Sequence, residues 1–479
     1  MAISVIAKPD IYTPAYNEIK FIYDGTNNTE EGYRYIYDIY EAGTANKIAE
    51  YRLLPNLDGY GEIDLSRLLQ GYVSYDFTSS NITSYDASNS YYSYDVKIGE
   101  EYIQDVSYTS SVTQNGTFVK ITATHAFQVG DQVTIAQTGT GPADNPNLEG
   151  LFTVTAISTT VDFTVNSLWS EVTDPTADGT VAYADKRKTV TRDIVTVTSN
   201  FAYNIAMPFA EMIDWASTDY RLVSANDLFL TSVPLDFTMT LDQDMWVNIQ
   251  NGGVITGFMY FENSTGDIFK KAVTSNGTIS QVSVGANNFG SLTLVSGSGT
   301  LIEDDVDSYE YWYTDAVGTQ YSIKYKITLD RRCKINDYEI AFLDRMGSIS
   351  SFAFQLRDKL TGVVKKETYN QHLEGYVGHS TNWLYTTEDK GKTVINPRIE
   401  ETYELQTNWM DEDDASYFTE LVSSPNTWLR IGEDPVSGLP IYFSCIVQDT
   451  GYEKERSRNK NLIRKSIKVM LSVQDRVNG

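Results

Sequence analysis

Histidine and cysteine are scarce in this chain, which has three His and two Cys among 479 residues. These residue types carry out most nucleophilic and proton-transfer chemistry near neutral pH. Their scarcity argues against an enzyme that depends on them. Cys333 and Cys445 lie far apart in strand-like runs, which predicts buried free thiols rather than a disulfide. The composition favours a structural or assembly protein without a cofactor.

Long apolar runs are also absent, since no stretch approaches the roughly 18 residues that a membrane helix requires. Residues 1–10 lack a basic region followed by a long apolar one, so no secretory signal is predicted. We therefore expect a soluble protein that is made in the cytoplasm and does not insert into a membrane.

Positive charge is in short supply, with 37 Lys and Arg against 64 Asp and Glu and a formal net charge of −27. This balance argues against a nucleic-acid-binding surface, because phosphate contacts need clustered cations. The exception is the segment 454–476, whose eight cations include Arg456, Arg458, Arg464 and Lys465. Two interpretations stay open: a solvated edge strand with protective charges, or a basic edge that meets an acidic patch on a neighbouring subunit.

Tyrosine, by contrast, is abundant, with 34 residues. Its side chain provides rigid, amphipathic contact area at low entropic cost, which suits strands and protein interfaces. Residues 32–40 alternate so that Tyr33, Tyr35 and Tyr37 share one face of a predicted strand with Ile39. We take these three tyrosines as candidates for contact between subunits.

Alternation with a period of two dominates the chain and predicts an all-β, multidomain protein. We expect β-sandwiches of immunoglobulin- or fibronectin-like and jelly-roll-like type, a small inserted β-barrel, and one helix in a C-terminal β-unit. An acidic first turn and a buried stripe of apolar residues mark that helix. The predicted domains are an N-terminal sandwich (1–107 plus 186–229), the inserted barrel (108–185), a second sandwich (230–337) and the C-terminal unit (338–479, helix 411–422).

No motif in the sequence predicts a catalytic, metal or cofactor site. The acidic run 411–414 cannot converge on one ion from consecutive helical positions, and 303–307 lacks EF-hand spacing. His372 and His379 lack the spacing of common zinc ligands, and the glycine-rich turn 295–300 has no phosphate-loop lysine. A glycosidase needs only two carboxylates, so the 64 acidic residues leave that possibility open.

Three stretches resemble a known group of proteins when they are taken in order: PNLDGYGEIDLSRLLQ (55–70), DLFLTSVP (227–234) and YEIAFLDRMGS (338–348). They are similar to virion structural proteins of tailed bacteriophages that infect Bacteroidetes, crAss-like phages included. The inserted run VGDQV (129–133) resembles small modules of phage tail and baseplate proteins. The resemblance implies a virion protein of the tail, neck or baseplate, assembled in the host cytoplasm as a ring and in contact with its own copies and other virion proteins.

Our leading hypothesis is therefore a non-enzymatic structural component of a phage virion that acts by oligomerising. One alternative is a receptor- or carbohydrate-binding tail protein, in which exposed Trp312, Trp383 or Trp428 would stack on sugars. A second alternative is a glycan-degrading tail enzyme, although the long repeats of a β-helix are not found. Two acids converging in a cleft would be the structural signature of that enzyme.

Overall fold

The computed structural model describes residues 3–79, 83–115, 117–122, 129–130, 132–135, 150–159, 162–168, 181–250, 256–274, 277–332, 338–356, 358–370, 391–407, 409–448, 463–473 and 475–476. Within these ranges the fold is all-β, as predicted, with several sheets and few helices. No helix of this described part is long and apolar enough to cross a membrane.

The elements of the first half of the chain are strands with two short helices. In chain order they are β1 (Ile3–Ala7), β2 (Tyr12–Pro14), β3 (Lys20–Gly25), β4 (Glu31–Glu41), β5 (Lys47–Leu53), β6 (Gly61–Asp64), α1 (Ser66–Leu69), β7 (Ser84–Asp86), β8 (Tyr91–Asn115), β9 (Phe118–Thr122), β10 (Gln132–Ile135), β11 (Gly150–Thr159), β12 (Asp162–Leu168), β13 (Val181–Tyr203) and α2 (Phe209–Met212).

The second half continues with strands and one longer helix. The elements are β14 (Asp236–Thr240), β15 (Trp246–Gln250), β16 (Thr256–Asn263), β17 (Ile268–Thr274), β18 (Ile279–Ser283), β19 (Thr293–Ser296), β20 (Ser308–Asp315), β21 (Tyr325–Asp330), β22 (Tyr338–Leu343), β23 (Ile349–Phe354), β24 (Asp358–Asn370), β25 (Lys392–Gln406), α3 (Glu412–Ser423), β26 (Thr427–Glu433), β27 (Pro440–Val447), β28 (Ser466–Leu471) and β29 (Asp475–Arg476).

The chain forms two compact units. Unit 1 comprises Met1–Ile11, Ile19–Leu65 and Ser93–Asn200, and unit 2 comprises Tyr12–Glu18, Ser66–Tyr92 and Phe201–Gly479. The division into four domains stays a prediction. Residues 201–229, which were predicted as part of the N-terminal sandwich, lie in unit 2.

Unit 1 contains two sheets that pack face to face. One is the three-stranded sheet β1-β3-β6, and the other pairs β5 with β4 and β4 with β8. The Tyr35 hydroxyl accepts a hydrogen bond from the backbone N–H of Gly25 at 2.9 Å, which links the two sheets. A Cβ at Gly61 would lie only 2.5 Å from the Tyr35 ring, so glycine permits this close approach.

The predicted insertion contributes a run of short antiparallel strands to unit 1. Its strand order is β10-β11-β12-β9, and β9 pairs with the far end of the 25-residue strand β8. These four short strands lie within the predicted insertion 108–185. Closure of these strands into a barrel stays a prediction.

Unit 2 is built on a six-stranded sheet, β14-β21-β20-β16-β17-β19, and an eleven-stranded sheet. The larger sheet follows the order β24-β25-β28-β27-β26-β22-β23-β15-β18-β7, and β29 pairs with β25. One hydrophobic core contains Phe237 and Tyr311 from the smaller sheet, Phe342 and Phe352 from the larger sheet, and Phe418 from α3.

Strands on both sides of the predicted boundary at residue 337 pair in one sheet. Strands β15 and β18 precede that boundary in the chain, yet they belong to the sheet that also contains β22 and β23. The second sandwich and the C-terminal unit therefore share one core. Long-range strand pairing of this kind leaves no local pattern in the sequence.

Helix α3 follows its sequence signals closely. The side chain of Asp411 caps its N-terminus by accepting a hydrogen bond from the Asp414 N–H at 2.8 Å. Tyr417, Phe418 and Leu421 are buried on one side, and Pro425 follows the C-terminal end. The predicted helix 411–422 is confirmed to within one residue.

Candidate functional site

The three tyrosines proposed as interface residues lie in the core of unit 1. Tyr35 and Tyr37 are fully buried and Tyr33 is 3% exposed. The Tyr33 and Tyr35 rings pack edge to face with centroids 4.9 Å apart, an arrangement that favours packing of buried aromatic pairs. Tyr33, Tyr35 and Tyr37 therefore stabilise the sandwich itself and leave no surface for another subunit, which corrects their assignment.

The C-terminal basic candidates are only partly described. Arg464 is exposed and its guanidinium lies 5.3 Å from the centre of the Trp409 ring, a favourable cation–π geometry. The backbone N–H of Lys465 donates to the Thr407 hydroxyl at 3.0 Å. Arg456 and Arg458 lie outside the described residues. The interface role of this segment stays a prediction.

The tryptophans considered for sugar stacking are not surface platforms where the structure describes them. Trp312 and Trp428 are each 8% exposed. Lys324 lies over the Trp312 ring at 4.2 Å, and Phe77 packs on Trp428 with centroids 4.4 Å apart. Trp383 lies outside the described residues. Exposed stacking by Trp312 and Trp428 is therefore excluded.

Cys445 is a buried free thiol, as predicted. Burial raises the pKa of this thiol to about 11, which keeps it protonated and unreactive near neutral pH. Cys333 lies outside the described residues. Among the residues that the structure describes, no three His, Cys, Asp or Glu side chains are grouped to hold a metal ion.

A long β-hairpin in unit 2, which we call the arm, exposes one of its two strands along nearly the whole length. It consists of β24 and β25, which pair antiparallel from Asp358 with Leu405 to Asn370 with Lys392. Every residue of β24 after Asp358 is exposed. Strand β25 is better covered, because it also pairs with β28 and β29. The exposed strand of the arm is therefore β24.

Apolar side chains occur on both faces of the arm. Leu360 and Val364 share one face and are each 52% exposed, whereas Val363 on the other face is 49% exposed. Register places Val364 opposite Ile399 and Val363 opposite Glu400. Further exposed apolar residues along the arm are Tyr369, Val394 and Ile395.

The arm also differs from the rest of the chain in charge. Residues 362–399 contain five Lys or Arg and four Asp or Glu, which gives 5 − 4 = +1 in a chain whose total is −27. On β24 and β25 themselves the cations are Lys359, Lys365, Lys366, Lys392 and Arg398, and the anions are Asp358, Glu367, Glu400, Glu401 and Glu404. The described strands of the arm are thus neutral in a strongly acidic chain, so an acidic partner surface repels the arm less than it repels the rest of the chain.

A second candidate is a cavity of about 880 Å³ within unit 2. One side of α3 and the segments around 73–75, 204–208, 232–234 and 343–345 form its wall. This volume lies in the range of roughly 300–1,000 Å³ that is typical of small-molecule sites. Hydroxyl and amide groups supply much of its polar lining, among them Ser74, Asn204, Ser232, Ser416, Thr419 and Asn426.

Two acidic residues, Asp344 and Glu420, converge at this cavity. Both oxygens of Asp344 are engaged: Oδ2 accepts from the Thr231 hydroxyl and the Ser232 N–H, and Oδ1 accepts from the N–H groups of Met346 and Ser348 at 2.8–3.1 Å. Burial, and secondly the nearby Glu420, raises the pKa of Asp344 to about 7. Asp344 thus holds the turn 344–348 in place.

Glu420 is tied to the same turn. Its Oε1 lies 3.0 Å from the Arg345 Nε, and its Oε2 accepts a hydrogen bond from the Ser232 hydroxyl at 2.5 Å. Burial raises the pKa of Glu420 as well. Two converging acids are the signature expected of a glycosidase. Here Asp344 accepts four hydrogen bonds from the chain, and Glu420 is ion-paired with Arg345.

Comparison with known proteins does not assign this chain to a family. No protein-family model matches the sequence, and no curated protein matches it. Among solved structures, a phage phi92 endosialidase aligns with 96% of this chain and 64% of its own length, at 11% identity and a TM-score of 0.18. The chain thus spans 64% of the length of that protein, and a TM-score this low does not establish a shared fold.

Proposed function

We propose that this chain is a non-enzymatic structural component of a phage virion, and that its copies assemble through the arm. The observation that carries the proposal is a β-hairpin with exposed apolar residues on both faces. Solvent-exposed apolar strands are an aggregation hazard in a monomer, and burial against a partner removes it. The resemblance of residues 55–70, 227–234 and 338–348 to phage virion proteins supports the viral part of the proposal.

The partner of the arm in this proposal is a second copy of the chain. The described strands of the arm carry five cations and five anions, whereas the chain as a whole is strongly acidic. A neutral arm meets less repulsion from an acidic neighbour than the rest of the surface does, which favours head-to-tail contacts between identical subunits, the geometry that closes into rings. Association of this kind needs no catalytic group.

The mass of the purified full-length chain tests the proposal. We expect a particle of several 53.8 kDa subunits, and we expect the double variant Val363→Glu, Val364→Glu to be monomeric with an unchanged circular dichroism spectrum. Val436→Glu is the matched control, because Val436 is 95% exposed in the turn between β26 and β27. This control variant should assemble like the wild type.

Four outcomes would count against the proposal. A wild-type chain that is monomeric at all concentrations would exclude self-assembly, and normal assembly of the double variant would exclude the arm. A wild-type chain that associates only when other virion proteins are added would transfer the role of partner to those proteins. Absence of the chain from purified virions would contradict the proposal that it is a component of the virion.

A further inference from the structure

Exposed apolar side chains lie in and beside the wall of the cavity in unit 2. The Tyr16 ring belongs to the wall and is 51% exposed. Phe209 and Leu235 are 81% and 46% exposed, and they directly follow the wall residues Pro208 and Pro234. Exposed apolar groups around a concave surface are typical of sites that bind another polypeptide. The cavity therefore has the form of a docking site for a protein segment.

The charged groups of the cavity restrict the chemistry of that segment. Among the described residues of the wall, the carboxylates of Asp344, Asp413 and Glu420 outnumber the one guanidinium, that of Arg345. Arg345 lies 3.0 Å from Glu420 and 3.2 Å from Glu211, so two acids share its positive charge. Asp413 is exposed on the first turn of α3. The cavity therefore favours a segment that combines apolar side chains with lysine or arginine.

One face of β24 has this combination. Leu360, Val364 and Lys366 lie on the same face, because alternate residues of a strand point to the same side. Leu360 and Val364 are each 52% exposed, and Lys366 is exposed as well. After Asp358 the strand contains three lysines and one glutamate, and the glutamate lies on the opposite face. This face of β24 is therefore apolar and basic.

We propose that the cavity of one copy of the chain receives strand β24 of the next copy. This inference rests on the proposed assembly through the arm, and it names the surface that the arm contacts. Leu360 and Val364 lose their exposure against the apolar part of the wall, and Lys366 faces the carboxylates around Asp413. Because β24 and the cavity are different surfaces of the same chain, the contact is heterologous and repeats head to tail.

A blocked cavity tests the proposal in the full-length chain. The cavity variant combines Asp413→Lys with Thr419→Arg, which adds positive charge and fills the cavity from α3. Sedimentation equilibrium should show association weakened at least about tenfold, because the lysines of β24 are repelled and the volume is occupied. The matched control combines Glu412→Lys with Thr419→Ser. Glu412 lies in the same helical turn but outside the cavity wall, so association should stay within about twofold of the wild type.

A mixture of two defective chains tests the head-to-tail contact directly. The arm variant, Val363→Glu with Val364→Glu, keeps an intact cavity, and the cavity variant keeps an intact β24. Each should be monomeric alone at a concentration at which the wild type assembles. Mixed in equal amounts they should form a pair of 53.8 kDa subunits and nothing larger, because only one productive contact is left between them.

Lys366→Glu tests the same contact without any change to the cavity, so it does not depend on the folding of the cavity variant. It should weaken association at least about fivefold, and Asp413→Lys in the same chain should recover most of that loss. Normal assembly of a folded cavity variant would overturn the cavity as the receptor of β24, and so would a mixture that forms no pair or a Lys366→Glu chain that assembles normally. These results leave assembly through the arm intact, whereas a monomeric wild type would overturn the proposed function as well.

Discussion

Strand β4 of unit 1 and strand β24 of the arm have opposite environments. Aromatic or aliphatic residues alternate with polar ones along much of β4, whereas lysines and threonines interrupt the apolar residues of β24. In β4 five consecutive residues from Tyr35 to Ile39 are buried, whereas in β24 everything after Asp358 is exposed. A regular alternation therefore accompanies burial in β4, and its absence accompanies exposure in β24. The arm is the place where another molecule can supply the missing cover.

The largest expected difference between β4 and β24 is in the stability that is lost when a side chain is truncated to alanine. Tyr37→Ala in β4 should lower the free energy of unfolding by about 3–5 kcal/mol, because it leaves a cavity between the two sheets. Val363→Ala in the arm should change it by less than about 0.5 kcal/mol in the monomer. Urea denaturation of both variants measures the contrast, and similar losses would show that the arm is covered within the chain.

A second prediction compares a buried acid with an exposed one on α3. Burial, followed by the charge of Asp411, raises the pKa of Asp414 to about 7. The folded chain therefore holds a proton that the unfolded chain releases above about pH 4, so stability is lost as the pH rises toward 7. Asp414→Asn should add about 2 kcal/mol at pH 8 and nothing at pH 4.

The matched control for that variant is Asp413→Asn, which removes an exposed charge from the same helical turn. It should change stability by less than about 0.5 kcal/mol at either pH. Urea titrations at pH 4, 6 and 8 measure both variants. An equal effect of the two substitutions across this range would contradict the role of burial.

A third prediction separates two neighbouring tyrosine hydroxyls in β4. The Tyr35 hydroxyl accepts from the Gly25 N–H at 2.9 Å and donates to the Gly59 carbonyl at 3.0 Å. Tyr35→Phe should therefore cost about 1–2 kcal/mol. The Tyr37 hydroxyl has no partner among the described residues, so Tyr37→Phe should be neutral or stabilising. Thermal melts of the two variants should differ in this direction, and an equal loss would show that Tyr37 is hydrogen-bonded too.

The smallest expected effect concerns an ion pair on the arm. The Lys365 Nζ lies 2.7 Å from a carboxylate oxygen of Glu400, and the lysine side chain is 64% exposed. Exposed pairs contribute little because water and salt screen them. Lys365→Met should change the free energy of unfolding, measured by urea denaturation, by less than about 0.5 kcal/mol. A larger loss would indicate that the arm is more enclosed than β24 and β25 show.

Local signals predicted individual elements well. The acidic turn and apolar stripe placed helix α3 to within one residue, and alternation over residues 32–40 placed β4. The arm was not predicted, although Asp358–Asn370 contains several β-formers. Lysines and threonines interrupt its apolar residues, so the pattern does not show a face that a core would cover.

The cavity could not be predicted in the same way. Its wall combines segments near residues 73, 204, 232, 343 and 420, which are brought together only when two sheets and α3 pack. From the local sequence alone, Tyr417 and Glu420 are indistinguishable from other residues of the helix α3. Their proximity to Asn204 and Ser232 is a consequence of long-range packing, for which one sequence has no periodic signature.

The sequence by itself determined an all-β protein, its principal strands and its capped helix, because these depend on side chains close together in the chain. Tertiary structure alone decided that Tyr33, Tyr35 and Tyr37 are core residues, that the second sandwich and the C-terminal unit share one core, and that the arm is exposed. Burial depends on which distant strand lies opposite, and that choice is made by the packing of whole sheets.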